Sequence, residues 1–158
     1  TTGIQSLDLL GRKVVIQQGA GLTAVVAEIK LTIDLAANSN RLNDFSIQLE
    51  QAVEVLLATT DHLTKGMLEK DIDLALANSV KYLDLFGNIV IAWIWLKLGV
   101  AADDGLANTA HQSEQHFYRG KLQAMQYFYR FELPEIYPWA ELLSCLDATT
   151  NEMRPEWF

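Results

Sequence analysis

Apolar side chains are densest between Ser79 and Ala102, where the sequence reads SVKYLDLFGNIVIAWIWLKLGVAA. From Ile89 to Leu96 no charged or amide side chain interrupts the run. A helix that spans a membrane needs about 20 apolar residues, and this run is roughly half that length. Asp84 and Lys97 lie at its edges. The pattern therefore predicts a core helix rather than a membrane span.

A single polar line runs along this predicted helix. At about 100° per residue, Lys81, Asp84 and Asn88 fall on one side. The next positions on the same line are Ala92 and Trp95, so the carboxyl-terminal half is apolar on every side. A helix that is apolar all round needs more than one covering neighbour. We therefore expect a local loop or another domain to cover this half.

Helical spacing recurs through the rest of the chain, and no segment alternates apolar and polar residues over the length of a strand. The predicted fold is all-α, a four-helix up-and-down bundle with short additional helices at both ends. A hinge at Gly19-Ala20-Gly21 is expected, because this glycine pair lacks the third glycine of a dinucleotide-binding loop. The predicted helices are an amphipathic start within Thr1–Gln18, then Leu22–Asn38, Asp44 to Lys65-Gly66, Ile72–Val100, Ser113–Leu133 and Trp139–Leu146.

Local signals mark several helix ends. Asp71 and Asp73 favour a helix start, where negative charge is stabilised. Gly99 followed by Asp103-Asp104-Gly105 predicts the end of that helix. Pro134 is expected to stop the helix before it.

The predicted helix Ser113–Leu133 carries six Phe and Tyr residues. Polar residues form two lines along it and leave two apolar faces, and two apolar faces need two partners. One face holds Phe117, Ala124, Phe128 and Phe131, and the second face holds Tyr118, Leu122 and Tyr129.

Composition limits the possible functions. The chain has 158 residues, half of them apolar, and a net charge of −8 without a long basic run. Because nucleic acids and anionic membranes attract basic surfaces, the charge argues against both partners. The only cysteine, Cys145, cannot form an internal disulfide, which favours a reducing, cytoplasmic location.

Few residues suggest self-contained chemistry. None of His62, His111 and His116 has an acidic residue three positions before it, as the Glu-x-x-His pattern of di-iron bundles requires, so we predict no metal site and no catalytic residue. Cys145 is predicted to be a buried apolar side chain. Arg119 and Arg130 could bind an anion or a flat ring, but an exposed helix face is the favoured interpretation.

Three stretches together resemble acyl-CoA dehydrogenases. TTGIQSLDLLGRK is similar to the segment that follows the catalytic glutamate of that family, with Thr1, Ile4 and Gln5 matching its Glu-Gly-Thr-x-x-Ile-Gln pattern. YLDLFGNIVIAWIWLKLGVAA and FYRGKLQAMQYFYRFELP resemble two helices of the extra carboxyl-terminal domain of the large, methylthiopropanoyl-CoA dehydrogenase-like members. The closing EMRPEWF resembles the usual end of that domain.

The resemblance implies a parent enzyme that uses FAD to oxidise acyl-CoA to 2,3-enoyl-CoA. Its catalytic glutamate would precede Thr1 by two residues, so we expect Thr1 to be a processed end or a cut. The implied FAD contacts are Thr1, Thr2 and Gly3. Residues 1–18 would form the junction with the dehydrogenase body and residues 19–158 the helical domain. This chain alone is expected to bind no FAD.

Two functional hypotheses remain open at this point. In the first, the chain is the carboxyl-terminal domain of such a dehydrogenase and serves packing and homo-oligomerisation, with the remainder of the enzyme or a second copy as its partner. The apolar end around Trp95 and the Tyr118/Tyr129 face would form the contact. In the second, the chain is a free-standing helical module that binds a partner helix or a hydrophobic ligand.

Overall fold

The computed structural model describes residues 3–69 and 71–158, so Thr1, Thr2 and Lys70 lie outside the described residues. The described residues form helices and turns without a strand, which confirms the all-α prediction. The up-and-down arrangement of four helices stays a prediction, as does the division after Gln18. The α-helices are α1 (Ile4–Asp8), α2 (Ala20–Ala37), α3 (Asn43–Glu69), α4 (Ile72–Leu76), α5 (Ser79–Asn108), α6 (Gln112–Tyr127) and α7 (Ile136–Ser144).

A left-handed turn separates the amino-terminal segment from α2. Gln17, Gln18 and Gly19 have φ angles of 51°, 57° and 81°. The predicted break was therefore placed slightly too late, because α2 begins at Ala20 and includes Gly21. Gly19, and not Gly21, is the glycine of this turn. Glycine adopts a left-handed φ readily, whereas residues with a Cβ do so at a cost.

The predicted helices in the first half are confirmed, with α2 and α3 close to their expected bounds. Their apolar positions repeat every three to four residues, and these are the positions that are buried. Asp44 lies in the first turn of α3, as expected for an acidic residue near a helix start. The buried apolar residues of α2 and α3 are Leu22, Val26, Ile29, Ile33, Ala36, Leu49, Ala52, Val53, Leu56 and Leu63.

The helix predicted over Ile72–Val100 begins where expected, but the prediction of one continuous helix that ends at Val100 is wrong. Asp71 does cap the start, accepting hydrogen bonds from the backbone of Asp73 and Leu74. The chain then breaks at Ala77 and Asn78, where the Asn78 amide donates to the Asp147 carbonyl at 2.8 Å. Beyond this break, α5 runs through Gly99 and Gly105 to Asn108. Glycine is only a weak helix breaker, and packing can override its propensity.

Pro134 was predicted to stop the helix, but helical turns continue on both sides of it. After α6, a π-helical segment covers Phe128–Glu132 and a 3₁₀ turn covers Leu133–Glu135. The helix α7 follows directly. Pro134 and Pro138 lie in the first turns of the 3₁₀ segment and of α7. The missing proline N–H has no helical partner to lose at these positions.

The chain forms two compact units. Unit 1 comprises residues 1–24, 54–86 and 136–158, and unit 2 comprises residues 25–53 and 87–135. The helices α2, α3 and α5 contribute to both. Unit 1 buries large side chains such as Leu10, Leu63 and Tyr82, and unit 2 buries Ile29, Met125 and Tyr129.

Candidate functional site

Of the three predicted FAD contacts, only Gly3 lies among the described residues. Gly3 is the residue before α1 and has a left-handed backbone, with φ 70° and ψ 7°. Its carbonyl accepts hydrogen bonds from the Leu7 backbone N–H at 3.0 Å and from the Ser6 hydroxyl at 2.7 Å. A side chain at this position would be strained. The roles of Thr1, Thr2 and Gly3 in cofactor binding stay predictions.

Ser6 anchors α1 on the first residue of α5. Its hydroxyl is buried and lies 3.1 Å from the Ser79 hydroxyl. Because Ser6 Oγ donates to the Gly3 carbonyl at 2.7 Å, its oxygen remains free to accept from Ser79. These bonds hold the start of the described chain in a defined position within unit 1.

Ion pairs support the turn that follows α1. Asp8 lies 2.5 Å from the Arg12 guanidinium and 3.3 Å from the Lys13 ammonium. The hydrogen bond from Arg12 lowers the pKa of the Asp8 carboxyl, and the same bond raises the pKa of Arg12. These side chains are partly exposed, so their stabilising effect is small.

An open cavity of about 530 Å³ adjoins Gly3 and α1 in unit 1. Gly3, Leu7, Leu76 and Val80 contribute much of its lining, and Asn151 closes one side. Its volume lies in the range of small-molecule sites, roughly 300–1,000 Å³. Among the described residues, the lining has one carboxylate, Asp73, and no basic side chain that could hold a phosphate.

The metal site that the sequence argued against does not assemble within the described residues. No group of three or more His, Cys, Asp or Glu side chains there could hold a metal ion. The prediction that Cys145 is buried is wrong, because the thiol is exposed. The reason is that α7 ends at Ser144, and the chain turns through Leu146 with a φ of 49°. The helical face on which Cys145 was placed therefore does not extend to it.

A second cavity, of about 550 Å³, lies within unit 2. Arg41 and Arg119 both line it, and its apolar side is formed by Phe45, Leu106, Leu122 and Met125. The exposed-face interpretation holds for Arg130, whose guanidinium donates to the Gln126 amide oxygen at 2.9 Å. Arg119 is exposed and also borders the cavity. Sequence reasoning missed this cavity, because Arg41 and Phe45 are distant from α6 along the chain.

One side of α5 is fully buried and the other exposes apolar side chains. Tyr82, Leu85, Ile89, Ala92 and Leu96 have no exposed surface. On the other side, where the residues follow helical spacing, Ile91 is 47% exposed, Ile94 49% and Leu98 43%. We call these three residues the α5 apolar face.

By length and composition alone α5 could cross a membrane, and it is the one such helix among the described residues. About a third of its most apolar window is buried inside the chain (33%). A core helix of a soluble protein passes the same test, which is therefore weak support for a span.

The aromatic residues of α6 and of the segment Phe128–Glu132 divide differently from the prediction. Tyr129 is buried, and its hydroxyl donates to the Ala92 carbonyl at 3.0 Å. Tyr118 is half-buried and lies against Gly105. Phe117 and Phe131 are instead 59% and 63% exposed. Tyr129 is therefore covered by this chain itself, and the external contact predicted for the half-buried Tyr118 stays a prediction.

Tyr127, the last residue of α6, also belongs to the exposed aromatic surface. It is 54% exposed, and its ring stacks on that of Phe131 with centroids 4.9 Å apart. Trp95, also predicted to form an external contact, is half-buried. The exposed apolar side chains of unit 2 thus include the α5 apolar face, Phe117, Tyr127 and Phe131.

Comparison with known proteins now identifies the family. The profile of the family described as "Acetyl-CoA dehydrogenase C-terminal like" matches residues 25–154, which is most of the chain. The chain belongs to this family. This confirms the resemblance in the two aromatic helices and extends it over α2 and α3.

A curated relative supports the same family. The chain is 27% identical over 158 residues to the broad-specificity linear acyl-CoA dehydrogenase FadE5 of Mycobacterium tuberculosis (strain ATCC 25618 / H37Rv). The alignment covers 97% of this chain and 26% of the relative. This member of the acetyl-CoA dehydrogenase C-terminal-like family thus spans about a quarter of the length of the curated relative it matches.

Proposed function

We propose that this chain is the carboxyl-terminal helical domain of an FAD-dependent acyl-CoA dehydrogenase, where it packs against the remainder of the enzyme and supports its oligomeric state. The family membership supports the placement in a dehydrogenase. The observation that carries the packing role is the α5 apolar face in unit 2.

The α5 apolar face has the geometry of a helix contact. Ile91, Ile94 and Leu98 follow the i, i+3, i+7 spacing that aligns side chains along one stripe. Each is between 43% and 49% exposed. Fully burying such a side chain is worth about 1.5–3 kcal/mol, so covering what remains exposed of each contributes on the order of 1 kcal/mol.

The catalytic chemistry belongs to the remainder of the enzyme in this proposal. The parent would bind FAD and oxidise an acyl-CoA to the 2,3-enoyl-CoA, with a glutamate removing the α proton while hydride passes to the flavin. Thr1, Thr2 and Gly3 would follow that glutamate and lie against the cofactor. The left-handed backbone of Gly3 gives this segment a tight turn directly before α1. This chain by itself would hold no FAD and would oxidise no acyl-CoA.

Substitution of Ile94 in the longer polypeptide that carries this chain tests the packing role. Ile94→Glu places a charge on the α5 apolar face, and burying it unpaired would be costly. We expect dissociation of the oligomer or detachment of the domain, measured by analytical ultracentrifugation and limited proteolysis. Leu68→Glu is the matched control, because Leu68 is 82% exposed and belongs to unit 1.

The same two variants of the isolated chain separate packing from folding. Ile94 is already half-exposed there, so Ile94→Glu should leave the melting temperature nearly unchanged. The packing proposal would be abandoned if the longer polypeptide kept its assembly with Ile94→Glu.

The coding sequence upstream of Thr1 tests the dehydrogenase parent independently. Codons for Glu-Gly directly before Thr1 support it, and an unrelated domain there would favour a free-standing interaction module.

A further inference from the structure

The cavity lined by Arg41 and Arg119 is not used by the proposed packing role. It lies wholly within unit 2, and its volume of about 550 Å³ would hold a small organic molecule. Its lining falls into a polar and an apolar part. Arg41, Arg119, Gln123 and Gln126 form the polar part, and Phe45, Leu106, Leu122 and Met125 form the apolar part.

Arg41 is held in place before any ligand binds. Its guanidinium donates to one oxygen of Asp103 at 2.6 Å, and the Ser39 hydroxyl donates to the other oxygen at 2.6 Å. Asp103 is thus bonded on both oxygens and orients Arg41. A guanidinium has five N–H donors, and this ion pair leaves several of them for a ligand.

The charge of the lining is opposite to that of the chain. Within the part of the chain that the structure describes, the lining contains two guanidinium groups and no carboxylate, although the whole chain has a net charge of −8. The carboxylate of Asp103 offsets the positive charge of Arg41, so the net positive charge at the cavity comes from Arg119. Arginine binds carboxylates and phosphates through paired N–H donors. An anionic group is therefore the ligand chemistry that this rim favours.

The apolar part defines the other half of the ligand. Met125 is buried, and Phe45 is fixed by an edge-to-face contact with Tyr129, with ring centroids 5.2 Å apart. We propose that this cavity binds an aliphatic anion, with its carboxylate or phosphate between Arg41 and Arg119 and its chain against Phe45, Leu122 and Met125. The site is independent of the packing role, because none of its lining residues belongs to the α5 apolar face.

Octanoate binding to the 158-residue chain tests the site. We expect ¹H–¹⁵N shift changes confined to residues 41–45, 104–108 and 119–126, and a saturable isotherm in calorimetry. Octyl phosphate distinguishes a phosphate from a carboxylate preference, since both satisfy the rim. Octanol has the chain without the anion and should bind at least about tenfold more weakly than octanoate, because charged hydrogen bonds are lost.

Variants on one helix provide the control. Arg119→Gln should weaken octanoate binding about tenfold. Lys121→Gln removes the same charge two positions away, where Lys121 lies over Phe117 and does not line the cavity, and it should bind within about twofold of the unchanged chain. Leu122→Asp should also weaken binding, by placing a carboxylate in the lining. Circular dichroism checks the fold of each variant.

Four results would overturn the proposal. These are no binding of octanoate or octyl phosphate, equal binding of octanol, equal losses for Arg119→Gln and Lys121→Gln, or shift changes on the α5 apolar face instead of the cavity. The first would leave an acidic peptide as the better candidate for the arginine pair. None of these results bears on the assembly of the longer polypeptide, so failure here is distinguishable from failure of the packing role.

Discussion

The hydroxyl groups of Thr60 and Tyr82 form a buried hydrogen-bonded pair in unit 1. Thr60 Oγ lies 2.7 Å from the Leu56 carbonyl and 2.7 Å from Tyr82 Oη. Thr60 has one proton, which it donates to the carbonyl, so Tyr82 is the donor to Thr60. Tyr82 therefore depends on Thr60, whereas Thr60 keeps a partner if Tyr82 is removed.

This asymmetry predicts unequal costs for removing the two hydroxyl groups. Thr60→Val leaves the Tyr82 hydroxyl buried without an acceptor and should cost about 1–3 kcal/mol of the free energy of unfolding. Tyr82→Phe removes the donor and leaves Thr60 bonded to Leu56, so it should cost only about 1 kcal/mol. Urea unfolding of both variants measures the difference. Equal losses, or a larger loss for Tyr82→Phe, would contradict the assigned direction of the bond.

The same pair predicts loss of stability at alkaline pH. Burial raises the pKa of Tyr82 from 10.0 to about 12, while the hydrogen bond with Thr60 opposes the rise. The pKa of Tyr82 is higher in the folded than in the unfolded chain. The contribution of Tyr82 to the free energy of unfolding is therefore complete below pH 10 and is lost as the pH rises from 10 toward 12. At its steepest the loss is about 1.4 kcal/mol per pH unit.

Unfolding experiments between these pH values check the contribution of Tyr82. The free energy of unfolding should fall less steeply in Tyr82→Phe than in the unchanged chain. Burial also raises the pKa of Tyr129, so a slope remains in the variant. An unchanged slope would show that Tyr82 ionises without unfolding.

At the scale of elements, α5 shows why glycine misled the prediction of its end. Gly99 is buried, and a Cβ built on it would clash with Met125 Sδ of α6. Gly105 is similarly close to the ring of Tyr118. Both glycines are present because α6 approaches here, and neither ends the helix. The sequence shows where a glycine lies, but it does not distinguish a helix end from a close contact between two helices.

Substituting two glycines of α5 separates these roles. Gly99→Ala gains helix propensity but forces Met125 to move, and overpacking costs about 1–3 kcal/mol. Gly87→Ala meets no atom within 4 Å, so it should gain up to about 1 kcal/mol from propensity alone. Thermal unfolding should therefore show opposite shifts in melting temperature. A rise for Gly99→Ala would mean that Met125 moves aside without cost.

At the scale of the whole molecule, the chain buries much of its apolar surface and leaves part exposed in unit 2. The sequence predicted this excess from the two apolar faces of the helix that became α6, and the prediction of excess is confirmed by the exposed Phe117 and Phe131. The prediction that Tyr129 faces an external partner was wrong, because its hydroxyl reaches the Ala92 carbonyl of α5. Helical periodicity identifies faces but not the neighbours that cover them.

The proposed function places catalysis outside this chain, which makes a prediction for the isolated molecule. Purified alone, the 158-residue chain should be colourless, without flavin absorbance near the usual visible bands, and should not oxidise acyl-CoA. Reconstitution with added FAD should leave the melting temperature unchanged, because a ligand that binds only the folded state would raise it. A yellow preparation or a clear thermal shift would contradict the assignment of the cofactor to the remainder of the enzyme.

The sequence by itself determined the all-α class, the registers of α2 and α3, the Asp71 cap and the family resemblance, because these depend on residues close together along the chain or on regular spacing within one helix. Only the tertiary structure decided that Gly99 lies inside α5, that Tyr129 is covered, that Cys145 is exposed and that Arg41 and Arg119 share a cavity. Each of these depends on which distant segments come into contact, and a one-dimensional pattern of polarity carries no record of that pairing.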